Sequence, residues 1–229
     1  MIYPRLVEAY GDRPCYHSLD AIHATIIDMD MTGEIDEQQI IFDYLDRDST
    51  GVLEFGGNIG RTSVIINKLL HYPDRHVVFE SDPTNARILE ENRWKNGCQF
   101  IIIPAAMSDQ PIIQNGWIAK TLDDDSSSGI PPGWKLVPTI SFREFQDAFP
   151  IDFDTLVVDC EGCISQILTN HGEELLRSIR TIIIEHDDAV NPHVPQDFVR
   201  RYLRDAGFQS VVCRDLNENV KCFFEVLRR

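Results

Sequence analysis

Short, continuous apolar runs alternate along the chain with segments in which apolar residues recur at helical spacing. The apolar runs predict strands at residues 52–55, 76–80, 99–104, 155–159 and 181–185. The intervening segments predict helices at about 35–45, 58–72, 82–96, 141–149, 164–176 and 195–206, and a closing antiparallel hairpin at 208–213 and 221–227. Strands that are apolar throughout are typical of a parallel sheet that is covered on both faces. The pattern therefore predicts an α/β fold.

Two regions do not follow this alternation. Residues 1–33 lack clear periodicity, so we expect an N-terminal extension followed by a domain that spans residues 34–229. Residues 105–140 contain an acidic and serine-rich run and a Pro-Pro-Gly sequence, which predict an irregular excursion near the ligand site. Trp117 and Trp134 flank the polar run, where each either anchors the loop or offers an aromatic face to a sugar.

A glycine-rich turn follows the first predicted strand. Residues 52–60 have the sequence Val-Leu-Glu-Phe-Gly-Gly-Asn-Ile-Gly, and the next strand ends on Glu80. Glycine lets the backbone approach a ligand closely, and an acid at the end of the second strand takes the ribose hydroxyls of a nucleoside-like cofactor. A dinucleotide-binding turn would have glycine in place of Asn58 and Arg61. The spacing E-x-G-x-x-x-G instead resembles motif I of class I S-adenosylmethionine (SAM) methyltransferases, in which Glu54 would face the amino group of the methionine moiety.

The composition narrows the classes of function. Of 229 residues, 43% are hydrophobic, which is enough for one large domain with a full core. The 21 Lys and Arg against 37 Asp and Glu leave a net charge of −16, which argues against a nucleic-acid substrate. No apolar run approaches the length of a membrane span, and the first residues lack a signal-peptide core, so we expect a cytoplasmic protein. The six cysteines are scattered, which favours reduced thiols over a disulfide framework.

Acidic residues end or nearly end four of the predicted strands: Glu54, Glu80, Asp159 and Glu185. The carboxyl ends of parallel strands meet at one edge of a sheet, so these side chains would rim a single crevice, where α/β sheets bind ligands. More polar residues follow them along the chain: Glu161, His186, Asp187 and Asp188. The alternative is that each acid only caps the helix that follows it.

The segment 154–162 has the sequence Asp-Thr-Leu-Val-Val-Asp-Cys-Glu-Gly and resembles the D-x-L-K-x-D-x-E-G signature of FkbM-family methyltransferases. Motif I, Glu-Ser-Asp-Pro at 80–83 and Ala-Ala-Met-Ser-Asp at 105–109 are also similar to that family's motifs, in the same order. The resemblance covers about residues 34–227. Two positions depart from it, because the usual lysine is Val157 and an acid that usually follows is Ile164. Both departures concern the acceptor site.

The resemblance implies a Rossmann-like class I methyltransferase fold, with a mostly parallel seven-stranded sheet, helices on both faces and the C-terminal hairpin. It also implies methyl transfer from SAM to a hydroxyl group, typically on a sugar of a glycan or natural product. The Ser108 hydroxyl would bind the edge of adenine, and Ile59 and Ser81 would pack on its two faces. The implied cofactor residues are Glu54, Gly56, Gly57, Asn58, Ile59, Gly60, Glu80, Ser81, Ala106, Met107, Ser108 and Asp159.

Methylation of a sugar hydroxyl gains from a base within hydrogen-bond reach. The predicted catalytic residues are Asp159, Glu161, Glu185 and His186. Imidazole titrates near neutral pH, which suits His186, although an ordinary loop histidine is an equally good interpretation. Alternatively, Asp159 and Glu161 bind a divalent cation that polarises the hydroxyl, and Glu185 and Asp187 complete the site.

Three other functions remain open at this point. The acceptor could be a phenolic or other small-molecule hydroxyl, or the chain could bind SAM without catalysis, which would keep Glu54 and Glu80 but need no base. A nicotinamide-dependent oxidoreductase is disfavoured by the turn sequence. Cys160 and Cys163 form a C-x-x-C pair, but zinc would need a second pair, and a redox role is disfavoured.

Overall fold

Strands and helices alternate through most of the structure, a computed structural model that describes residues 15–122, 129–186, 197–217 and 222–229. The helices are α1 (Leu19–His23), α2 (Ile35–Tyr44), α3 (Arg61–Leu69), α4 (Pro83–Lys95), α5 (Phe142–Ala148), α6 (Cys163–Leu175) and α7 (Phe198–Asp205). The strands are β1 (Val52–Phe55), β2 (His76–Phe79), β3 (Ile101–Ile103), β4 (Ala106–Met107), β5 (Ile112–Asn115), β6 (Ile118–Thr121), β7 (Lys135–Val137), β8 (Thr139–Ile140), β9 (Thr155–Val158), β10 (Thr181–His186), β11 (Gln209–Asn217) and β12 (Cys222–Arg228). None of the helices in these described ranges is long and apolar enough to cross a membrane.

Seven strands form one sheet in the order β11-β12-β10-β9-β1-β2-β3. Neighbouring strands are parallel except for β12, which is antiparallel to both β10 and β11. The predicted seven-stranded sheet with a C-terminal antiparallel hairpin is therefore confirmed. The strand order reverses between β1 and β9, because the chain continues from β1 to β2 on the other side. Open α/β sheets bind ligands beyond the carboxyl ends of their strands at such a reversal.

Local sequence signals set the first residues of two of the predicted helices. The Asp82 side chain accepts hydrogen bonds from the backbone amides of Thr84 and Asn85, and Pro83 occupies the first helical position of α4. At the start of α5, Ser141 and Glu144 form a reciprocal capping box. These caps satisfy backbone amides that have no partner inside the helix, so both boundaries could be predicted from the sequence.

The faces of the sheet are covered by different helices. Along β1, successive side chains point to opposite faces. Leu53 and Phe55 belong to a buried cluster with side chains of α5, α6 and α7. Val52 belongs to a second cluster, with side chains of α1, α2 and α3. The alternation places Glu54 on the same face as Val52, toward α2 and α3.

The prediction of an irregular excursion at 105–140 is wrong for the described part of that segment. It contains five short strands: β5, β6 and β7 form an antiparallel sheet, and β4 pairs with β8. These strands have two to four residues, too few for a hydrophobic period to reveal them. The Asn115-Gly116 sequence was the available signal, since Gly116 has a φ of +59° in the β5–β6 hairpin turn. The polar run at 123–128 lies outside the described residues.

The described part of the N-terminal segment packs on the main sheet. Leu19 and Ile22 of α1 are buried in the cluster that contains α2 and α3. The Ile27 amide donates to Asn96 Oδ1 at 2.8 Å, which ties the segment to the end of α4. The division at residue 33 stays a prediction, and residues 1–14 lie outside the described part of the chain.

Gly57 is the basis of a stability test. A Cβ atom at Gly57 would lie 2.4 Å from Val78 Cγ1 and 2.9 Å from Leu89 Cδ2, both in the core. We expect Gly57→Ala to lower the free energy of unfolding by about 2–3 kcal/mol, measured by urea denaturation, because the buried neighbours must move. The control is Gly97→Ala, where nothing lies within 4 Å of the added Cβ and only the left-handed backbone costs about 1 kcal/mol. Equal losses in the two variants would contradict this packing.

Candidate functional site

A cavity of about 860 Å³ opens at the carboxyl ends of β1, β2, β9 and β10. It lies at the reversal of strand order between β1 and β9. Residues of the β5–β6 hairpin and of the first turns of α6 complete its wall. Its volume falls within the roughly 300–1,000 Å³ of pockets that bind cofactors and small molecules. We take this cavity as the candidate ligand site.

The glycine-rich turn enters the cavity at Gly56. Its φ of +93° is a conformation that favours glycine, and a Cβ atom there would lie 1.6 Å from the Asp159 carbonyl oxygen. The amides of Gly56 and Gly57 both donate to the Phe79 carbonyl, at 3.0 and 2.9 Å. The turn is thus held between the end of β2 and the loop after β9, and it brings Gly56 and Asn58 to the cavity wall.

Glu80 is the best-defined polar group of the wall. Its Oε2 accepts a hydrogen bond from the Asn58 amide and its Oε1 one from the Asp82 amide, each at 2.7 Å. Burial raises the pKa of this carboxyl, although the two amide bonds act in the opposite direction. Each carboxylate oxygen has a further lone pair, so Glu80 can also accept hydrogen bonds from two hydroxyl groups of a ligand.

Nine of the predicted site residues line the cavity together. The cofactor candidates among them are Gly56, Asn58, Glu80, Ser81, Ala106, Met107 and Asp159, and the catalytic candidates are Asp159, Glu161 and Glu185. The Ser81 hydroxyl donates to Gln114 Oε1 at 2.8 Å, which links the wall to β5. The roles of these residues stay predictions, but their proximity is the arrangement that the strand ends predicted.

Glu54 lies elsewhere. Its side chain is buried, Oε1 accepts from the Ser63 hydroxyl at 2.9 Å, and Oε2 is 2.7 Å from His76 Nε2. The residue is not part of the cavity wall, so the expected contact with a methionine amino group is replaced by contacts with α3 and β2. The reason is strand parity, because Glu54 is one residue before the end of β1 and points to the face covered by α2 and α3.

A second buried acid, Glu37 of α2, lies near Glu54. Burial raises the pKa of Glu37 well above its usual range, and the charges of Glu34, Glu185 and Glu54 raise it further, against a smaller opposing effect of a hydrogen bond from Thr62. Glu34 and Glu185 line the cavity. This concentration of negative charge would be stabilised by a positively charged ligand group.

The structure also corrects the prediction of His186 as a base. His186 is buried at the end of β10 with its Nε2 3.0 Å from Glu225 Oε2, and its ring stacks on Phe223. Arg200 Nε donates to the same Glu225 oxygen at 3.2 Å. His186 is therefore held in a hydrogen-bond network between β10, β12 and α7, and it does not line the cavity. Asp187 and Asp188 lie outside the described residues.

The predicted adenine contacts are only partly in place. The Ser108 hydroxyl accepts from the Gln110 amide at 3.1 Å, and Ser108 is not among the lining residues. The Ile59 carbonyl accepts from Asn92 at 2.8 Å, on the side of the turn that faces α4. Gly57 and Gly60 also pack toward the core, since Cβ atoms there would meet Leu89. None of these four residues is part of the cavity wall.

Arg61 explains one departure from the dinucleotide motif. At the first position of α3, its Nε donates to the Asp30 carbonyl at 2.7 Å, and its Nη1 lies 3.3 Å from Glu34. Arg61 thereby holds the segment before α2 beside the glycine-rich turn, with Glu34 at the cavity. The sequence pattern showed that glycine was missing at this position but not what the arginine contacts.

Several lining residues were missed because no motif contains them. They come from the β5–β6 hairpin and from α6, whose approach to the sheet edge depends on the tertiary fold: Gln114, Lys120, Thr121, Gln166 and Asn170. Trp117 at the hairpin turn also lines the cavity, whereas Trp134 is not part of the wall and packs against Lys120, whose Nζ is 4.9 Å from the ring centroid. Within the described chain, no three His, Cys, Asp or Glu side chains form a group that could hold a metal ion.

The expectation of reduced cysteines is wrong at one pair. Cys160 and Cys163 form a disulfide at the start of α6, with Cα atoms 5.5 Å apart, and both residues line the cavity. The C-x-x-C spacing was visible in the sequence, but only the turn before α6 shows that the two sulfur atoms come together. In the described residues, Cys15, Cys98 and Cys213 form no disulfide.

No protein-family model and no curated protein matches the chain. Solved structures do match. An O-methyltransferase from Bacillus cereus in complex with SAH aligns with a TM-score of 0.52 at 13% identity, over 94% of this chain and 92% of that one. A protein of the NADB-Rossmann superfamily from Streptococcus agalactiae aligns with a TM-score of 0.54 at 15% identity, over 90% and 71%. The fold is that of the class I methyltransferases.

The methyltransferase fold does not by itself identify an acceptor. A precorrin methyltransferase from Geobacter metallireducens also aligns, with a TM-score of 0.51 at 11% identity over 89% of this chain and 94% of that one. Proteins with this fold thus include one named for methyl transfer to oxygen and one named for a precorrin. The choice of acceptor must be argued from the residues of the cavity.

The network around His186 predicts a loss of stability in acid. Burial raises the pKa of Glu225, but hydrogen bonds from His186, Ser210 and Arg200 outweigh it and lower the pKa from 4.5 to about 2. A folded-state pKa below the unfolded value stabilises the protein above pH 4.5, and this stabilisation is lost as the pH falls toward 2. We expect a contribution of about 3 kcal/mol to disappear over that range.

Urea unfolding at a series of pH values tests the network. The Glu225→Gln variant should be less stable than the parent protein at neutral pH and should lose less stability between pH 5 and pH 2, because its side chain does not titrate. Glu173→Gln, on the exposed surface of α6, is the control and should follow the parent. Identical acid sensitivity of the Glu225 variant and the parent would contradict the network.

Proposed function

We propose that the chain is a SAM-dependent O-methyltransferase, similar to the FkbM family, that methylates a hydroxyl group of a sugar or glycan. The observation that carries the proposal is the position of Glu80 beside the Gly56 turn, at the strand reversal of a methyltransferase fold. The two segments with the most specific resemblance, 54–60 and 154–162, both contribute residues to the same cavity. The proposal therefore rests on the geometry of the cavity as well as on the sequence resemblance of the two motifs.

The residues present fit SAM. The fixed Glu80 carboxylate would accept hydrogen bonds from the two ribose hydroxyls, and Ala106 and Met107 would lie against the adenine. Acidic residues of the wall, including Glu34 and Glu185, would face the positive charge of SAM. When bound, SAM supplies a methyl group on a sulfonium that is already a good leaving group. The main task of the protein is then to align the acceptor and to exclude water.

The acceptor side of the cavity favours a sugar. Its wall contains the carboxamides of Gln114, Gln166 and Asn170, which both donate and accept hydrogen bonds, as sugar hydroxyls do. Trp117 is 64% exposed at the hairpin turn and presents a ring that can pack on the apolar face of a sugar. Lys120 is the only cation among the described lining residues, so a phosphate-bearing acceptor would meet mostly acids.

We assign activation of the acceptor to the loop after β9. Asp159 and Glu161 line the cavity next to the Gly56 turn, and the Asp159 amide is fixed by a hydrogen bond to the Phe55 carbonyl at 2.9 Å. A carboxylate there would accept the proton of the acceptor hydroxyl as the new bond to oxygen forms. Glu185 adds negative charge from β10. Because His186 is bound to Glu225, a carboxylate is the better candidate for the base.

We predict that SAM binds and that Glu80→Ala weakens its binding about ten- to a hundredfold. The loss corresponds to about 1.5–3 kcal/mol for two hydrogen bonds to a carboxylate. Glu91→Ala, on the exposed side of α4, is the matched control and should bind SAM normally. Titration calorimetry with SAM and with NAD measures both affinities. Tight binding of NAD without binding of SAM would refute the methyltransferase proposal.

Asp159→Asn tests the proposed chemistry. The substitution keeps the shape of the side chain and removes its charge, so we expect near-normal SAM affinity and a turnover lowered by about a hundredfold or more. Release of SAH is followed over a panel of deoxysugars and phenols, which also separates a sugar acceptor from an aromatic one. Asp152→Asn, exposed at the opposite edge of the sheet, is the control.

Two further results bear on this assignment. A chelator should abolish the turnover of the parent enzyme only if a divalent cation takes part, and it thereby separates a metal ligand from a base. Undiminished turnover of the Asp159 variant on the acceptor would show that another group activates the hydroxyl. SAM binding without transfer to any acceptor in the panel would instead favour a non-catalytic SAM-binding protein.

A further inference from the structure

We propose that Cys160 and Cys163 form a thiol–disulfide exchange site that controls the candidate catalytic loop. The reactants would be small dithiols and disulfides that reach the bridge through the cavity. The effect on turnover rests on the proposed function, whereas the exchange itself does not. Neither the methyltransferase fold nor the motif resemblance calls for a disulfide at this position.

The bridge lies between the end of β9 and the start of α6, both of which border the cavity. Cys160 follows the candidate base Asp159, and Cys163 is the first residue of α6. Both are partly buried and line the cavity, so the bridge borders the space that a small molecule would occupy. A Cβ atom on Gly56 would lie 3.3 Å from the Cys160 Cα atom, so the backbone at Cys160, from which the bridge starts, packs on the glycine-rich turn.

The residues enclosed by the bridge have an unusual backbone. Glu161 has a φ of +52° and Gly162 a φ of +87°, so two successive residues are in the left-handed region. Glycine adopts this region readily, but glutamate does so at a cost because of its Cβ atom. The bridge holds the Cα atoms of Cys160 and Cys163 5.5 Å apart and so restricts the loop to this tight turn. Opening the bridge frees Glu161 to leave the left-handed region and to move its carboxylate away from the acceptor position.

The exchange balances with a dithiol as reductant. A thiolate of the dithiol forms a bond to one Sγ, the Cys160–Cys163 bond breaks, and its electron pair leaves on the other Sγ, which takes up a proton. The second thiol then attacks the mixed disulfide and releases the reductant as a cyclic disulfide. The protein gains two thiols, and the dithiol is oxidised by two electrons. The position of Cys163 at the N-terminus of α6 favours its sulfur as a leaving thiolate.

The test compares one protein in two redox states. Purified protein is kept oxidised or is reduced with dithiothreitol, and alkylation with mass spectrometry counts the thiols at Cys160 and Cys163. With the deoxysugar or phenol that is methylated fastest in the panel as acceptor, we expect reduction to lower turnover about fivefold or more. SAM affinity should change less than about twofold, because Glu80 lies outside the bridged loop. Reoxidation with oxidised glutathione should restore the rate. Hydrogen exchange of residues 159–166 should be faster in the reduced form.

Two variants serve as controls. Cys160→Ser/Cys163→Ser should have the lower rate and no response to dithiothreitol, whereas Cys213→Ser, at an exposed position of β11, should respond like the parent protein. The proposal is overturned if the two thiols never form a bridge, or if turnover of the reduced form equals or exceeds that of the oxidised form. If neither form binds SAM, the proposed function fails, and hydrogen exchange still decides whether the bridge controls the loop.

Discussion

The absence of a side chain at Gly56 is the constraint on which the rest of the site depends. The turn after β1 touches the Asp159 carbonyl only because glycine occupies this position, and any Cβ atom would overlap that carbonyl. The ladders of β1 with β2 and β9 bring the three strand ends together, and the contact lets the turn after β1 pack against the loop after β9. Glu80 then lies on one side of the turn and Asp159 on the other, so one missing side chain makes these two acids neighbours in the cavity wall.

Burial determines what each acid near the sheet edge can do. Glu54 is buried against Ser63 and His76, and Glu225 is buried against His186 and Arg200. Both acids stabilise the fold. Glu80 is also largely buried, but its partners are backbone amides and its carboxylate still borders the cavity. The same residue type is thus either held by internal side-chain partners or borders the cavity, depending on its surroundings.

The parts that the sequence predicted well are those with a local cause. Apolar strands separated by helices predicted the central sheet, and Asp82 with Pro83 predicted the start of α4, because capping involves residues within one turn. The β5–β6 hairpin was missed since its strands are too short for a period. Glu54 and His186 were predicted in the site only because they lie near the carboxyl ends of strands. Strand parity and neighbours from distant segments decide whether such a side chain faces the cavity. The Cys160–Cys163 bridge likewise depends on a backbone turn that composition does not reveal.

The place of β12 in the sheet affects how the protein reaches its native state. β12 follows every other strand in the sequence, yet it lies between β10 and β11 and contributes Phe224, Val226 and Leu227 to the buried clusters on both faces. During synthesis, the five parallel strands leave the ribosome before the strand that covers the edge of β10. Until β12 pairs, that edge carries open backbone donors and acceptors, which can recruit a strand from another chain. The edge of β10 therefore stays open to pairing with another chain until β12 has left the ribosome and joined the sheet.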